Sequence, residues 1–437
     1  MKKFDQLYVA KHNEADIQEL NFILNTYHDI EYAKQFLFNN LNIYNIEKDH
    51  RFFLNMGHCF HEFWNKAINT VASTIDREFS FLPKTNEWRR SFEDLANHKV
   101  DGFYIESTMS ISPIGIRAIF EGQASFNQMQ YLTLTLDEDL SYSDFKDQGL
   151  LHGIYLEAFE LFLTITKYEK PESLLEPVVG LFLILCDIAI NPTNGFPIEI
   201  YDYENFIYKN DPGIRFTNLC NAIHQSEEDF LNMITDYSKD EYIEIESILC
   251  EKIGCKSSYR TIETVLDWCN NDSILKLLEE EQNHSYVNYN FPVRVLFSKY
   301  IRFQEDKFIH PNIFCWFGIY GSSRSKNVDF DIVNSLFNKH HALFIDDYDD
   351  EVKPVMFEGK NENAISQTFN AFFQYSILFD MVNKWVSEEG EFSYDYKWLS
   401  NKPVHELTSV IIEDFKQMFG IYPDELIILK DDLTEVI

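Results

Sequence analysis

From Val178 to Ile190 the chain runs through about thirteen apolar residues, broken only by Gly180, Cys186 and Asp187. Pro177 stands in front and Asn191-Pro192 behind. Proline is tolerated in a first helical turn, and the residue before a proline is pushed out of the helical region, so the spacing predicts a helix over 177–191. A helix apolar on every side has no face to offer water, so it must be enclosed by other elements. It is also too short to span a bilayer, which takes about 20 apolar residues. The run is therefore read as the central buried helix of a large core.

The remaining sequence supplies enough material to build that enclosure. Of 437 residues 45% are hydrophobic, with 39 Phe and 24 Tyr, and only 15 Gly and 12 Pro leave little room for linkers. The fold class expected is mainly α: a multi-helix globular fold with few short strands, helical over residues 1–225 and again over 226–437. Apolar residues at helical spacing place opening helices between Asn13 and Asn40 and a long helix from Asp49 to Phe79. A helix follows Ser112-Pro113, and others cover Gln148–Lys167, Arg215–His224, Glu227–Cys250, Ser258–Glu281, Ala364–Ser387 and Val404–Phe419. Val100 to Ile105 alternates and reads as a short strand.

Charge and cysteines limit the function classes. With 37 Lys+Arg against 71 Asp+Glu the net charge is −34, which repels phosphate backbones and anionic membrane surfaces and favours a basic protein partner. Direct nucleic-acid binding and membrane association are not expected. The seven cysteines are odd in number and contain no CxxC pair, so neither a disulfide framework nor a thiolate zinc knuckle is indicated. No apolar segment follows Met1-Lys2-Lys3, and the expected location is cytoplasmic.

The chemistry concentrates in Gly57-His58-Cys59-Phe60-His61-Glu62-Phe63-Trp64-Asn65 and in Phe120-Glu121-Gly122-Gln123-Ala124. Residues four apart share a helix face, so His61 and Asn65 point together with Glu62 beside them. The first stretch resembles the His-Glu-x-x-His helix of gluzincin-type zinc metallopeptidases, with Asn65 where the second histidine belongs. Glu121-Gly122-Gln123-Ala124 is similar to the segment that brings that family's third ligand. The resemblance implies a zincin-like helical core over residues 1–225, with His61, Asn65 and Glu121 at the metal positions and Glu62 as general base.

Asparagine is a poor zinc ligand beside imidazole, so the expectation is a catalytically impaired protein-binding component of a bacterial regulatory or defence assembly. The alternative is an active metal-dependent hydrolase in which His58 replaces the lost ligand, giving a His58, His61 and Glu121 zinc site with Glu62 as base. A third account makes His58 and His61 hydrogen-bonded core histidines. Lys339-His340-His341 with the Asp346–Glu351 run, and His152 with Tyr155, are weaker groupings. There is no nucleotide-binding motif.

Overall fold

The computed structural model describes residues 56–104, 111–136, 140–322, 329–346, 352–357, 359–387 and 403–420. It also describes short pieces at 7–8, 30, 33–38, 107, 422–423 and 427–428. The fold is mainly α. Helices α1 (Met56–Ile75), α2 (Thr85–Asn97), α3 (Ile116–Leu136), α4 (Tyr142–Asp147) and α5 (Ile154–Thr166) lead to α6 (Pro177–Ile190). Then come α7 (Phe206–Asn210), α8 (Pro212–His224), α9 (Lys239–Lys252), α10 (Ser258–Trp268), α11 (Asp272–Asn283) and α12 (Phe291–Ile309). The last are α13 (Pro311–Cys315), α14 (Phe317–Tyr320), α15 (Phe330–His340), α16 (Glu362–Ser387) and α17 (Val404–Phe419). Among the described residues the strands are two antiparallel pairs, Leu7–Tyr8 with Ile427–Ile428 and Phe344–Asp346 with Val352–Pro354. No helix among the described residues is long and apolar enough to cross a membrane.

The chain divides into two compact units, both discontinuous in sequence. The larger holds residues 29–276 and 297–340, and the smaller holds 1–28, 277–296 and 341–437. The boundary expected after residue 225 falls inside the larger unit, where α9 packs on both α6 and α8. In the smaller unit, Arg294 clasps Glu280 with two nitrogens at 2.8 and 2.5 Å. The Thr368 hydroxyl of α16 donates to the His284 carbonyl at 2.7 Å.

The larger unit is built around α6. Every residue from Val178 to Ala189 is buried, and α3, α8, α9 and α13 pack against it. Each large side chain so enclosed contributes roughly 1.5–3 kcal/mol of transfer free energy before entropy is set against it. The one charge in the helix is matched: the Asp187 carboxylate accepts from Lys307 Nζ at 2.6 Å and from the Tyr242 hydroxyl at 2.5 Å.

The end of α6 is held by a different cation. Arg215 of α8 is fully buried, and its guanidinium donates to the carbonyls of Ile188, Ala189, Asn191 and Lys209 and to Cys255 Sγ. A helix C-terminus leaves carbonyls unpaired and carries partial negative charge, and a buried arginine satisfies both needs.

A second cluster carries the motif helix. Cys59, Phe60 and Ile68 of α1 pack with Trp88 and Phe92 of α2 and with Phe103, Phe206 and Ile214. The strand expected over Val100–Ile105 is instead a turn as far as Tyr104, with Gly102 at φ +83° and its carbonyl accepting the Gly57 N–H at 2.7 Å. A Cβ on Gly57 would lie 2.1 Å from that oxygen, so only glycine lets the turn seat on the first turn of α1. Ile105 and the expected opening helices lie outside the described residues, apart from a helical turn at 33–37.

Candidate functional site

Helix α1 brings together three of the expected groups. Ligand atoms of His58, His61 and Glu62 all lie within 4.8 Å of one another. The cause is local: positions three and four apart are neighbours on a helix surface. His58 is exposed, Glu62 half-buried and His61 buried. The His61 ring lies 4.2 Å from that of Phe92, Nδ1 is 3.8 Å from Glu62 Oε1, and Nε2 is buried with no hydrogen-bond partner among the described residues.

Burial, followed by the neighbouring charges of His58, Arg89 and Lys66, lowers the His61 pKa from 6.5 to about 3. The imidazole is neutral across the physiological range. Neutral imidazole is the form that binds a metal, and two imidazoles with a carboxylate are a donor set suited to a transition metal. Glu62 is also drawn the other way, toward Lys66 at 3.9 Å.

The other two expected positions are engaged elsewhere. Asn69 Nδ2 donates to Asn65 Oδ1 at 2.5 Å and to the Asn65 carbonyl at 2.8 Å, and also reaches Thr85 Oγ1 at 3.0 Å. Glu121 sits on α3, one turn after Arg117, with Oε1 3.9 Å from the guanidinium. It is not part of the His58–His61–Glu62 group. The glycine of the Glu-Gly-x-Ala segment is a packing position. A Cβ on Gly122 would lie 3.3 Å from the Phe182 ring and 3.6 Å from Ala158, so the small residue seats α3 on α6 and α5.

That packing sets the helix of Tyr155 against Gly122, next to Glu121, while the His152 and Tyr155 rings meet edge to face at 5.6 Å. Lys339 and His340 both turn to Asp306, at 2.6 and 2.7 Å, and residues 347–351 of the acidic run lie outside the described residues.

A second feature escaped the sequence reading. A cavity of about 200 Å³ opens between the middle of α1, the loop after α6, and helices α10 and α12. Trp64, Phe196 and Tyr300 give it aromatic walls, and Gln304 and Lys307 add polar ends. The signal that would have found it is the spacing Tyr300, Gln304, Lys307, one stripe of a helix.

The class defined by these observations is a mainly α-helical protein with a histidine–carboxylate group on one partly exposed helix and a separate aromatic cavity. Compared with protein-family profiles, curated proteins and solved structures, the chain matches none of them.

Proposed function

We propose that the protein is a metallopeptidase-like binding protein in which hydrolysis is impaired, acting through a protein partner of basic character. One observation carries the reading. Asn65, at the position where a hydrolytic site requires its second histidine, has its amide oxygen engaged by Asn69 at 2.5 Å. Supporting it, Glu121 is paired with Arg117 and stands apart from the histidines. The charge of −34 provides the long-range attraction that speeds encounter with a cationic surface.

The test is peptide hydrolysis, with and without added zinc, by the wild-type chain and by Glu62→Gln. The expected result is no turnover above blank for either protein. Zinc-dependent turnover that disappears in Glu62→Gln would overturn the proposal. In parallel, the immobilised chain should retain its partner at about 150 mM salt, with an association rate that falls as salt rises. A rate independent of salt would remove the electrostatic part.

A second reading is favoured by the unpartnered Nε2 of His61: the three groups of α1 hold a divalent transition metal. Elemental analysis of protein purified without chelator decides it. Stoichiometric zinc that is lost in His61→Ala supports this reading, and metal-free wild-type protein rejects it.

A further inference from the structure

Helix α9 ends in a turn that brings two thiols close together. The Cys255 N–H donates to the Cys250 carbonyl at 2.8 Å and the Gly254 N–H to the Glu251 carbonyl at 2.9 Å, with Gly254 at φ +66°. Two such bonds around a left-handed glycine make a Schellman motif, in which the side chains at the positions joined by the outer bond commonly pack together. Ordinary bond lengths across that outer bond keep the Cα atoms of Cys250 and Cys255 within about 6.7 Å, inside the roughly 4.4–6.8 Å that a disulfide spans. Both residues are free thiols in the structure.

The surroundings of the two sulfurs differ in the way a redox pair requires. Cys255 is half-buried between the exposed Gly254 and Lys256, whereas Cys250 is buried. The Arg215 guanidinium donates to Cys255 Sγ at 3.4 Å, and Lys209 Nζ donates to the Gly254 carbonyl at 2.6 Å. Two cations so placed stabilise the charge that gathers on the outer sulfur as it attacks. Cys250 Sγ donates a hydrogen bond to Glu246 Oε1 at 3.1 Å. Burial, followed by that carboxylate, pushes the Cys250 thiol up, so it waits protonated with its base in contact. Glu246 keeps the hydroxyls of Ser257 and Ser258, each at 2.7 Å, whether or not the cysteine stays.

We propose that Cys255 and Cys250 are a peroxide-reactive redox pair at the end of α9. The Cys255 sulfur attacks the terminal oxygen of a hydroperoxide, the O–O bond breaks, and the alcohol or water leaves with the thiol proton. The sulfur is then a sulfenic acid. Cys250 attacks it, the S–S bond forms as the S–O bond breaks, and the Cys250 proton passes through Glu246 to the departing hydroxide, which leaves as water. The two thiols have given up two electrons, and the hydroperoxide has taken them. The disulfide pins the turn that leads into α10, where the Thr193 hydroxyl donates to the Lys256 carbonyl at 3.0 Å. Nothing in this chemistry depends on the role of His58, His61 or Glu62.

Treating the reduced full chain with a slight excess of hydrogen peroxide, then alkylating and digesting with trypsin, tests the pair. Cleavage after Lys252 separates the two cysteines, so the expected product is peptide 240–252 joined to peptide 253–256 and released by dithiothreitol. Cys269, also half-buried, has a thiol pushed up to about 11 by burial and Glu305, and oxidation at Cys255 should outrun it at least about tenfold. In Cys250→Ala a sulfenic acid should persist on Cys255 and be trapped by dimedone, whereas Cys255→Ala should give neither the linked peptide nor an adduct at Cys250. Faster oxidation of Cys269, absence of the linked peptide, or no dimedone adduct in Cys250→Ala would overturn the pair. So would linkage as fast in the urea-unfolded chain as in the folded one, since nearness in sequence alone would then account for it.

Discussion

Asp211 shows how one residue carries two opposed demands. Its side chain caps α8 by accepting from the Ile214 N–H at 2.8 Å, which favours the carboxylate, while burial favours the acid. Burial wins, and the pKa rises from 3.8 to about 7. The folded state therefore binds a proton that the unfolded state gives up between those values. The stabilisation is fully present below pH about 4 and is lost as pH climbs toward 7. Asn keeps an oxygen for the cap and has nothing to ionise. Asp211→Asn should thus gain stability relative to the wild type as pH rises from 4 to 7, with thermal melts at several pH values as the measurement. A difference that is flat with pH would show the carboxylate to be ionised throughout.

Arg215 offers a second residue-scale prediction. Lysine retains the charge but cannot reach four carbonyls at once, so Arg215→Lys should lower stability by about 2–4 kcal/mol in chemical denaturation. A loss below about 1 kcal/mol would mean that the carbonyls at the end of α6 find other donors.

Among the elements, α14 and α3 meet more closely than side chains normally permit. The Gly318 N–H donates to Asn127 Oδ1 at 2.8 Å, and a Cβ on Gly318 would stand 2.2 Å from the Asn127 carbonyl. Gly318→Ala should therefore lower the melting temperature by several degrees, corresponding to about 1–3 kcal/mol of overpacking, and speed amide exchange in α14. Unchanged exchange would place the close approach elsewhere.

What the sequence reveals at this scale depends on range. The bounds of α6 were readable because the apolar run, Pro177 and Asn191-Pro192 agree locally, and α17 coincides with its expected span. The helix expected over Ser258–Glu281 breaks after Trp268, where Asn271 Oδ1 accepts from the Ser273 N–H at 2.9 Å and starts α11. Helix α12 went unread because its buried positions include Arg294, Gln304 and Lys307, and Lys307 is acceptable there through Asp187, 120 residues away in sequence, as Arg294 is through Glu280. The same limit governs the site. His58, His61 and Glu62 lie together because one helix holds all three, whereas the relation of Glu121 to them depends on how two helices cross, which no short motif encodes.

At the scale of the whole molecule, the charge and the division into units give separate expectations. A surplus of 34 negative charges repels itself in the compact state, so screening should stabilise the fold. The melting temperature is expected to rise between about 10 and 300 mM sodium chloride, and a fall would show that attractive surface pairs dominate. A fragment of residues 1–225 omits α9 and α10, taking Tyr242, Ile245, Leu249 and Ile262 away from the core that surrounds α6. Expressed alone it should lack a cooperative melt and bind hydrophobic dyes. A sharp transition would show the first half to be self-sufficient.

The enclosure of α6 has a temporal side. Trp316, whose indole donates to the Gly180 carbonyl at 3.0 Å, lies 136 residues further along the chain. At a translation rate of roughly 5–20 residues per second, the ribosome needs about 7–27 s to deliver that covering residue after Gly180 has been made. Throughout that interval the most apolar segment of the chain is without its full shelter. Nascent chains paused between residues 190 and 316 should therefore be strong clients of holding chaperones, and this dependence should end once Trp316 has cleared the exit tunnel.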